Sequence, residues 1–457
     1  MDWKTYLAEN QARFTDELLE LVRIPSVSAV PEHAPDVMRA AEWVAARLGA
    51  AGVEGAEVLP TAGHPVVLAE WMGAGPDKPT ILIYGHFDVQ PAEPFDLWET
   101  PPFAPEIRDG KVWGRGASDD KGGMLIPILA AEALLKTTGR LPVNVKFFFE
   151  GQEEIGSPDL PPFVAAQAER MKADMIFSAD GSQWAPGQPQ IVEALKGLVS
   201  LEIHVQGARG DLHSGMHGGG VANPGMALAQ ILATMKSVDG AITVAGFYDD
   251  VLPLDEETRA AIARVPYDEA EYLAETGAPA THGEPGYTVR ERLWARPTLE
   301  VNGLTCGWQG AGTKTVLPAR ASAKITCRLV AGQTPAAVFD AIRAHVEAHC
   351  PEGVSVEVVQ NPGQADPFQV PSGHNATGVA AQVLEEVYGK VPFRTRVGGS
   401  IPVMTTLLNE LGVHAVMYGF GHGDENIHAP NEFFRLDAFH TGQIAYCRLM
   451  ETLARGA

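Results

Sequence analysis

Residues 80–88 read TILIYGHFD: an apolar run over 81–84, then Gly85, His86, Phe87 and Asp88. A strand with one wet face alternates apolar and polar residues. An unbroken apolar run instead suits a strand buried on both faces, inside a sheet covered by helices. The same design recurs at 143–149, 175–177 and 414–418. Amphipathic helical patterns lie around these runs, at 3–23 (stopped near Pro25), 36–51 (closed by Gly52) and 122–136. Together they predict an α/β fold with a mostly parallel, helix-flanked sheet.

The middle of the chain has a different rhythm. Residues 198–206 read as a strand, 224–236 as a helix, 298–304 and 322–330 as strands, 336–349 as a helix and 354–359 as a strand. That β-α-β-β-α-β order is the ferredoxin-like arrangement. The acid- and proline-rich stretch 238–296 reads as an insertion within it. The expected organisation is an α/β domain made of 1–196 and 367–457, interrupted by an α+β domain at 197–366.

Each buried run of the α/β domain hands over to residues of one chemical kind. The first ends at His86 and Asp88, the second at Glu150, Glu153 and Glu154, and the third at Asp180. The fourth is followed by His428. Ligands of open α/β sheets bind outside the carboxyl ends of the strands. Two histidines and several carboxylates therefore arrive at one rim, an oxygen and nitrogen donor set suited to zinc, manganese or cobalt. The glycine-flanked Asp119-Asp120 pair in 114–123 (GRGASDDKGG) adds a further carboxylate in a tight loop. The count then suits two cations, one carboxylate bridging them. Glu153 and Glu154 follow their strand in a loop between Gly151 and Gly156, where both can turn inward: one binds metal while the other stays free as a base. Asp88, two residues after His86, is placed to accept from the imidazole N–H and fix its tautomer. The remaining histidines, His33, His64, His345 and His349 among them, read as surface residues.

Composition narrows the function further. Of 457 residues, 57 are acidic and 34 basic, a formal net charge of −23 with His neutral. A field of that sign repels phosphate backbones and anionic lipid, which argues against nucleic-acid and membrane partners. The four cysteines form no CxxC pair, which fits a reducing cytoplasm rather than a disulfide scaffold or thiolate zinc site. The first residues lack a signal-peptide pattern, and no apolar run approaches membrane-spanning length. Residues 307–315 imitate a phosphate loop, but Thr313 intrudes before Lys314 and no helical pattern follows. No GxGxxG opens a helix after the first strand, and no GxSxG nucleophile elbow is present.

Taken in order, 85–91 (GHFDVQP), 114–122 (GRGASDDKG), 150–157 (EGQEEIGS), Asp180 and 428–432 (HAPNE) resemble the co-catalytic zinc exopeptidases. This family includes glutamate carboxypeptidases, aminoacylases, succinyl-diaminopimelate desuccinylases and carnosinase-type dipeptidases. The segments 211–215 (DLHSG) and 398–403 (GGSIPV) are most similar to the dipeptidase branch. The resemblance implies two divalent ions per subunit, zinc first, with manganese or cobalt as alternatives. His86 and Asp180 would hold one ion, Glu154 and His428 the other, and Asp119 would bridge them, with a cis peptide bond after it. It implies Glu153 as general base acting on a metal-activated water, and Asp88 as the residue that orients His86. It implies that the inserted domain is a lid and dimerisation domain, and that His213 reaches into the partner subunit's site in a homodimer. Arg328, Thr315, Gly399 and Ser400 match substrate-binding positions. The implied activity is hydrolysis of dipeptides or short peptides with a free carboxylate. Carboxypeptidase or acyl-amino-acid deacylase activity of the same family is the alternative. Carnosinase-type members carry a further histidine shortly before the chain returns to the catalytic domain, and 361–368 contains none.

Overall fold

The structure, a computed structural model, describes residues 1–456. The chain divides into two compact units. The first comprises Met1–Glu193, Val370–Arg394 and the segment from Pro402 onward; the second comprises Ala194–Gln369 and Thr395–Ile401.

The first unit is built on a six-stranded sheet. Its strands lie in the order Glu57–Leu59, Val66–Trp71, Asn144–Glu150, Thr80–His86, Met175–Ser178 and Ala415–Met417. The last four pair in parallel, while the first two extend the sheet antiparallel. Register sets His86 opposite Glu150, and Tyr84 and Met417 each opposite Ser178. The carboxyl ends of all four parallel strands thus share one edge.

The unbroken apolar runs are explained by two packed faces. Ile81, Ile83, Phe147, Phe149 and Phe177 point into a core with the helices Trp3–Val22, Ala34–Ala51, Gly123–Thr138 and Leu436–Leu453. Tyr84 and Phe148 point the other way, where Phe148 stacks on Phe163 of the helix Leu160–Met171. The helix Gly123–Thr138 is buried from Gly123 to Leu134, so it carries no amphipathic stripe and lies beneath the others.

The second unit holds a four-stranded antiparallel sheet in the order Thr298–Cys306, Arg320–Leu329, Gly197–Gln206, Ser355–Gln360. With the helices Pro224–Ala233 and Pro335–Ala348 this is the ferredoxin-like topology. Here alternation reappears: Val199, Leu201, Ile203 and Val205 are buried against the helices while the residues between them are not, as a sheet covered on one face requires. The inserted stretch contains three short helices, Glu256–Arg264, Glu269–Thr276 and Val289–Ala295. Two of the histidines expected at the surface, His345 here and His422 in the first unit, are buried. His345 is buried, and its Nε2 lies 2.8 Å from Thr234 Oγ1, with the ring stacked on His349. A helix face that packs on the sheet leaves no surface position there.

Candidate active site

The residues that end the parallel strands converge. His86 closes its strand, and Glu153 and Glu154 lie in a short 3-10 turn after Glu150. Asp180 follows Ser178 by two residues. Asp119 sits in the irregular turn Ala117–Gly122, and the Asp119–Asp120 peptide bond is cis. His428 lies in a turn with φ of 61°. His86, Asp119 and Asp180 form one group of possible metal donors; Asp119, Glu154 and His428 form a second, each with its ligand atoms within 4.8 Å of one another. Asp119 belongs to both. Its Oδ1 lies 3.0 Å from His86 Nε2 and its Oδ2 3.1 Å from His428 Nε2. His428 Nε2 also lies 3.1 Å from Glu154 Oε2.

The surroundings fix these side chains. Asp88 accepts the backbone N–H of Glu153 at Oδ1 and that of Glu154 at Oδ2, both at 3.1 Å, and so braces the turn that carries them. Its carboxylate stands 3.4 Å from His86 Nδ1, whereas its own carbonyl oxygen is at 3.1 Å. The main chain of Asp88 therefore makes the closer contact with the imidazole, and the carboxylate serves mainly the Glu153-Glu154 turn. Asp120, fully buried, accepts from the backbone N–H of His86 at 3.2 Å.

Electrostatics show what the cluster can bind. Asp88, Asp119, Glu153, Glu154 and Asp180 gather around two imidazoles in a site where His86 and Asp88 are wholly out of water. Burial, with Asp119 and Glu154 as neighbours, pushes Asp180 up to about 7. Burial and the carboxylates of Asp180, Asp119 and Glu154 push Glu153 well above the usual range, against the opposing pull of His86. Contacts with Asp119 and Glu154 push His428 up to about 10. So many carboxylates cannot all stay ionised in a dry site without compensating positive charge. Protons can supply it, and divalent cations supply it better. The donor set is all oxygen and imidazole nitrogen, as zinc, manganese and cobalt accept. In a tetrahedral zinc site, donor atoms lie roughly 3.3–3.6 Å apart, close to the contacts around Asp119. The residues fit the two cations.

All of these groups belong to the first unit; the other expected site residues belong to the second. There Arg328 Nη1 donates to Ser400 Oγ at 3.2 Å, and Ser400 in turn donates to the Lys196 carbonyl. His213 is exposed, and its Nδ1 accepts from Gly215 N–H at 3.1 Å. Thr315 is exposed beside it, its carbonyl accepting from Ser214 N–H at 3.1 Å. Gly399 is half-buried next to Ser400.

Three residues near these groups carried no signal in the sequence. Gln90 donates from its backbone N–H to Glu154 Oε1 (3.1 Å) and from its side chain to Oε2 (2.9 Å). Glu432 is fully buried and accepts from the backbone of the Asp119 turn. Lys196 is buried next to Arg328, and burial with the cations of Arg328 and Arg296 pushes it down to about 8. Gln90 and Glu432 lay inside quoted motifs, but nothing in those motifs distinguished either from an ordinary polar residue.

Comparison with known proteins agrees with this architecture. Residues 82–452 match the family model described as Peptidase family M20/M25/M40. The Cys-Gly metallodipeptidase dug1 of Schizosaccharomyces pombe is 33% identical over 460 residues, covering 96% of this chain and 95% of that protein. The Beta-Ala-His dipeptidase of Homo sapiens is 32% identical over 443 residues, covering 93% and 87%. Among solved structures, the M20 family metallo-carboxypeptidase Sso-CP2 from Sulfolobus solfataricus superposes with a TM-score of 0.82 at 32% identity, covering 97% of this chain and 99% of that one. With matches of this extent, and with a rim of donors suited to paired cations, the chain belongs to peptidase family M20/M25/M40 and is a metallopeptidase.

Proposed function

We propose that the enzyme is a di-metal dipeptidase, cleaving the peptide bond of dipeptides or short peptides that end in a free carboxylate. The observation that carries this reading is the pair of donor groups sharing Asp119. His86 and Asp180 would hold one cation, Glu154 and His428 the other, and Asp119 both. Divalent cations bound there supply a polarising charge for the scissile carbonyl and acidify the attacking water.

The chain's own groups do the rest. Glu153 takes the proton from the water and passes it to the leaving amine nitrogen. Burial among carboxylates raises its affinity for that proton, which suits a group that must hold it between the two steps. Asp88 supports this role by gripping the turn that carries Glu153 and Glu154. Arg328, oriented through Ser400, would bind the substrate carboxylate by charge-assisted hydrogen bonds, and Thr315 and Gly399 would add main-chain contacts. His213 would donate to the developing oxyanion, acting in the partner's site in a homodimer formed through the inserted domain. Its Nδ1 already accepts from Gly215, which leaves the proton on Nε2 and makes that atom the donor. All four cysteines are free, which supports a reducing, cytoplasmic setting. Among the described residues no helix is long and apolar enough to cross a membrane.

Dipeptidase names among the relatives favour dipeptides. The carboxypeptidase at 32% identity, and the lack of a histidine in 361–368, favour longer peptides as a second reading. The test is a panel of dipeptides, tripeptides and acyl-amino acids, each with metal-replete and chelated enzyme. Metal-dependent turnover that is strongest on dipeptides supports the first reading. Equal turnover of tripeptides supports the second, and turnover of acyl-amino acids alone overturns both.

A further inference from the structure

A buried ion pair lies behind the second donor group. Glu432 is wholly shielded from water, and the Arg115 side chain is 2% exposed. Removing two full charges from water is costly, and apolar residues of the same volume can replace such a pair without loss of stability. The partners of this pair suggest what it does. Glu432 Oε2 accepts from Arg115 Nη1 at 2.7 Å and from Gly116 N–H at 2.9 Å. Its Oε1 accepts from Ser118 N–H at 3.0 Å and Asp119 N–H at 3.1 Å. Four donors fill the lone pairs of the carboxylate, and three of them are main-chain groups of the loop leading into Asp119.

The pair also reaches the other two donors of that group. Glu432 follows His428 by four residues, and its own carbonyl accepts from Gly114 N–H at 2.9 Å. Asn431, between them, is pinned by Glu99 N–H at 2.8 Å and by its own donation to the Leu97 carbonyl at 2.9 Å. Arg115 Nη2 donates to the Pro91 carbonyl at 3.2 Å. The residue before Pro91 is Gln90, which holds both oxygens of Glu154. Asp119, Glu154 and His428 come from three distant parts of the chain, and the Arg115–Glu432 pair ties all three together. The remaining donors have other supports: His86 ends a sheet strand and Asp180 follows one.

We propose that Arg115 and Glu432 are positioning residues for the Asp119–Glu154–His428 donor group, setting its affinity for the second cation, with a smaller effect on the first cation, which shares only Asp119 with that group, and little effect on the fold. This rests on the di-metal reading above. The test uses purified enzyme stripped by chelation, then titrated with cobalt(II) by visible absorbance and with zinc by elemental analysis. Wild type should take two equivalents. Glu432→Gln keeps the shape but turns an amide N–H₂ toward backbone donors. Loss of a partner behind a metal ligand typically weakens binding about 10–100-fold. The second equivalent should weaken by about that factor, and the first, which shares only Asp119 with the perturbed group, by clearly less. At limiting metal kcat should fall while KM stays within about 2-fold, and excess metal should restore kcat, a rescue that misfolding does not allow.

Arg115→Lys, which keeps the charge but cannot span both partners, should show the same selective loss and serves if Glu432→Gln does not fold. Two equivalents at wild-type affinity in the variants would overturn the proposal. So would an equal loss of both equivalents, which would make the pair a fold element. A wild type that takes up no second cation would instead remove the di-metal reading itself.

Discussion

Glu153 and Glu150 lie three residues apart, and burial acts on them to different ends. Glu153 faces the donor cluster, and replacing it by Gln removes the proton acceptor while preserving shape. Turnover of Glu153→Gln should fall by about 10²–10⁴, the usual share of general acid–base catalysis, with two bound cations retained by elemental analysis. A near-wild-type rate would exclude it as the base. Glu150 faces away from solvent and accepts from the hydroxyls of Tyr84 (2.7 Å) and Ser157 (3.0 Å) at one oxygen. Burial pushes it up to about 8 from an ordinary 4.5. Between those values the folded chain keeps a proton that the unfolded chain has lost, so this group makes stability fall as pH rises from about 4.5 to about 8. Glu150→Gln mimics the protonated acid and lacks that slope. In urea unfolding at matched metal content, the variant should gain on wild type between pH 5.5 and 8.5, by at most about 1.4 kcal/mol per pH unit. A pH-independent difference would show Glu150 ionised throughout. At this scale the sequence exposed the residues that follow buried runs only jointly: one such acid can be structural, as Glu150 is, but several runs ending in metal-donor types point to chemistry. Gln90, Glu432 and Lys196 stayed hidden because each acquires meaning only from a partner far away in the chain.

The turn Ala117–Gly122 leads from the short strand Lys111–Trp113 to the central buried helix, and its glycine, Gly122, is there for space. A Cβ on Gly122 would lie 2.3 Å from the Ala117 carbonyl oxygen and 2.5 Å from Phe434 Cδ1. Neither the main chain nor a buried ring can yield that much, so Gly122→Ala must shift the turn that bears Asp119. We expect a loss of about 1–3 kcal/mol, as for other overpacked sites, together with weaker cation binding; unchanged unfolding and unchanged metal content would contradict the packing argument. The elements that could be read from pattern are the central strands of both sheets and the helices packed on them, whereas Leu160–Met171, Asn375–Tyr388 and Leu436–Leu453 went unread. The four parallel strands showed as unbroken runs because both of their faces are covered, and the ferredoxin-like order showed through alternation and helix length. The antiparallel extension Val66–Trp71 did not, since its six residues carry neither a terminal functional group nor a regular alternation. The short helices inside 238–296 were missed for a related reason: each is 7–9 residues long, too short for a periodic stripe to stand out from acids and prolines.

For the whole molecule, the governing fact is that strands from distant parts of the sequence deliver acids to one rim of a strongly acidic protein. A net charge of −23 raises the local concentration of cations around the chain, and the rim concentrates carboxylates where water is scarce. Sequence order alone announced this convergence, since parallel strands must end on the same edge. The expected domains already separated His213, Thr315 and Arg328 from the metal donors, but the segment Thr395–Ile401, expected within 367–457, belongs to the second unit, because no local pattern states which unit such a turn joins. The measurement that bears most directly on the account is anomalous diffraction from crystals of the active enzyme, collected on either side of the absorption edge of its native metal. The account predicts two peaks per chain, one bounded by His86, Asp119 and Asp180 and the other by Asp119, Glu154 and His428. Absence of density at both positions in fully active protein would contradict it.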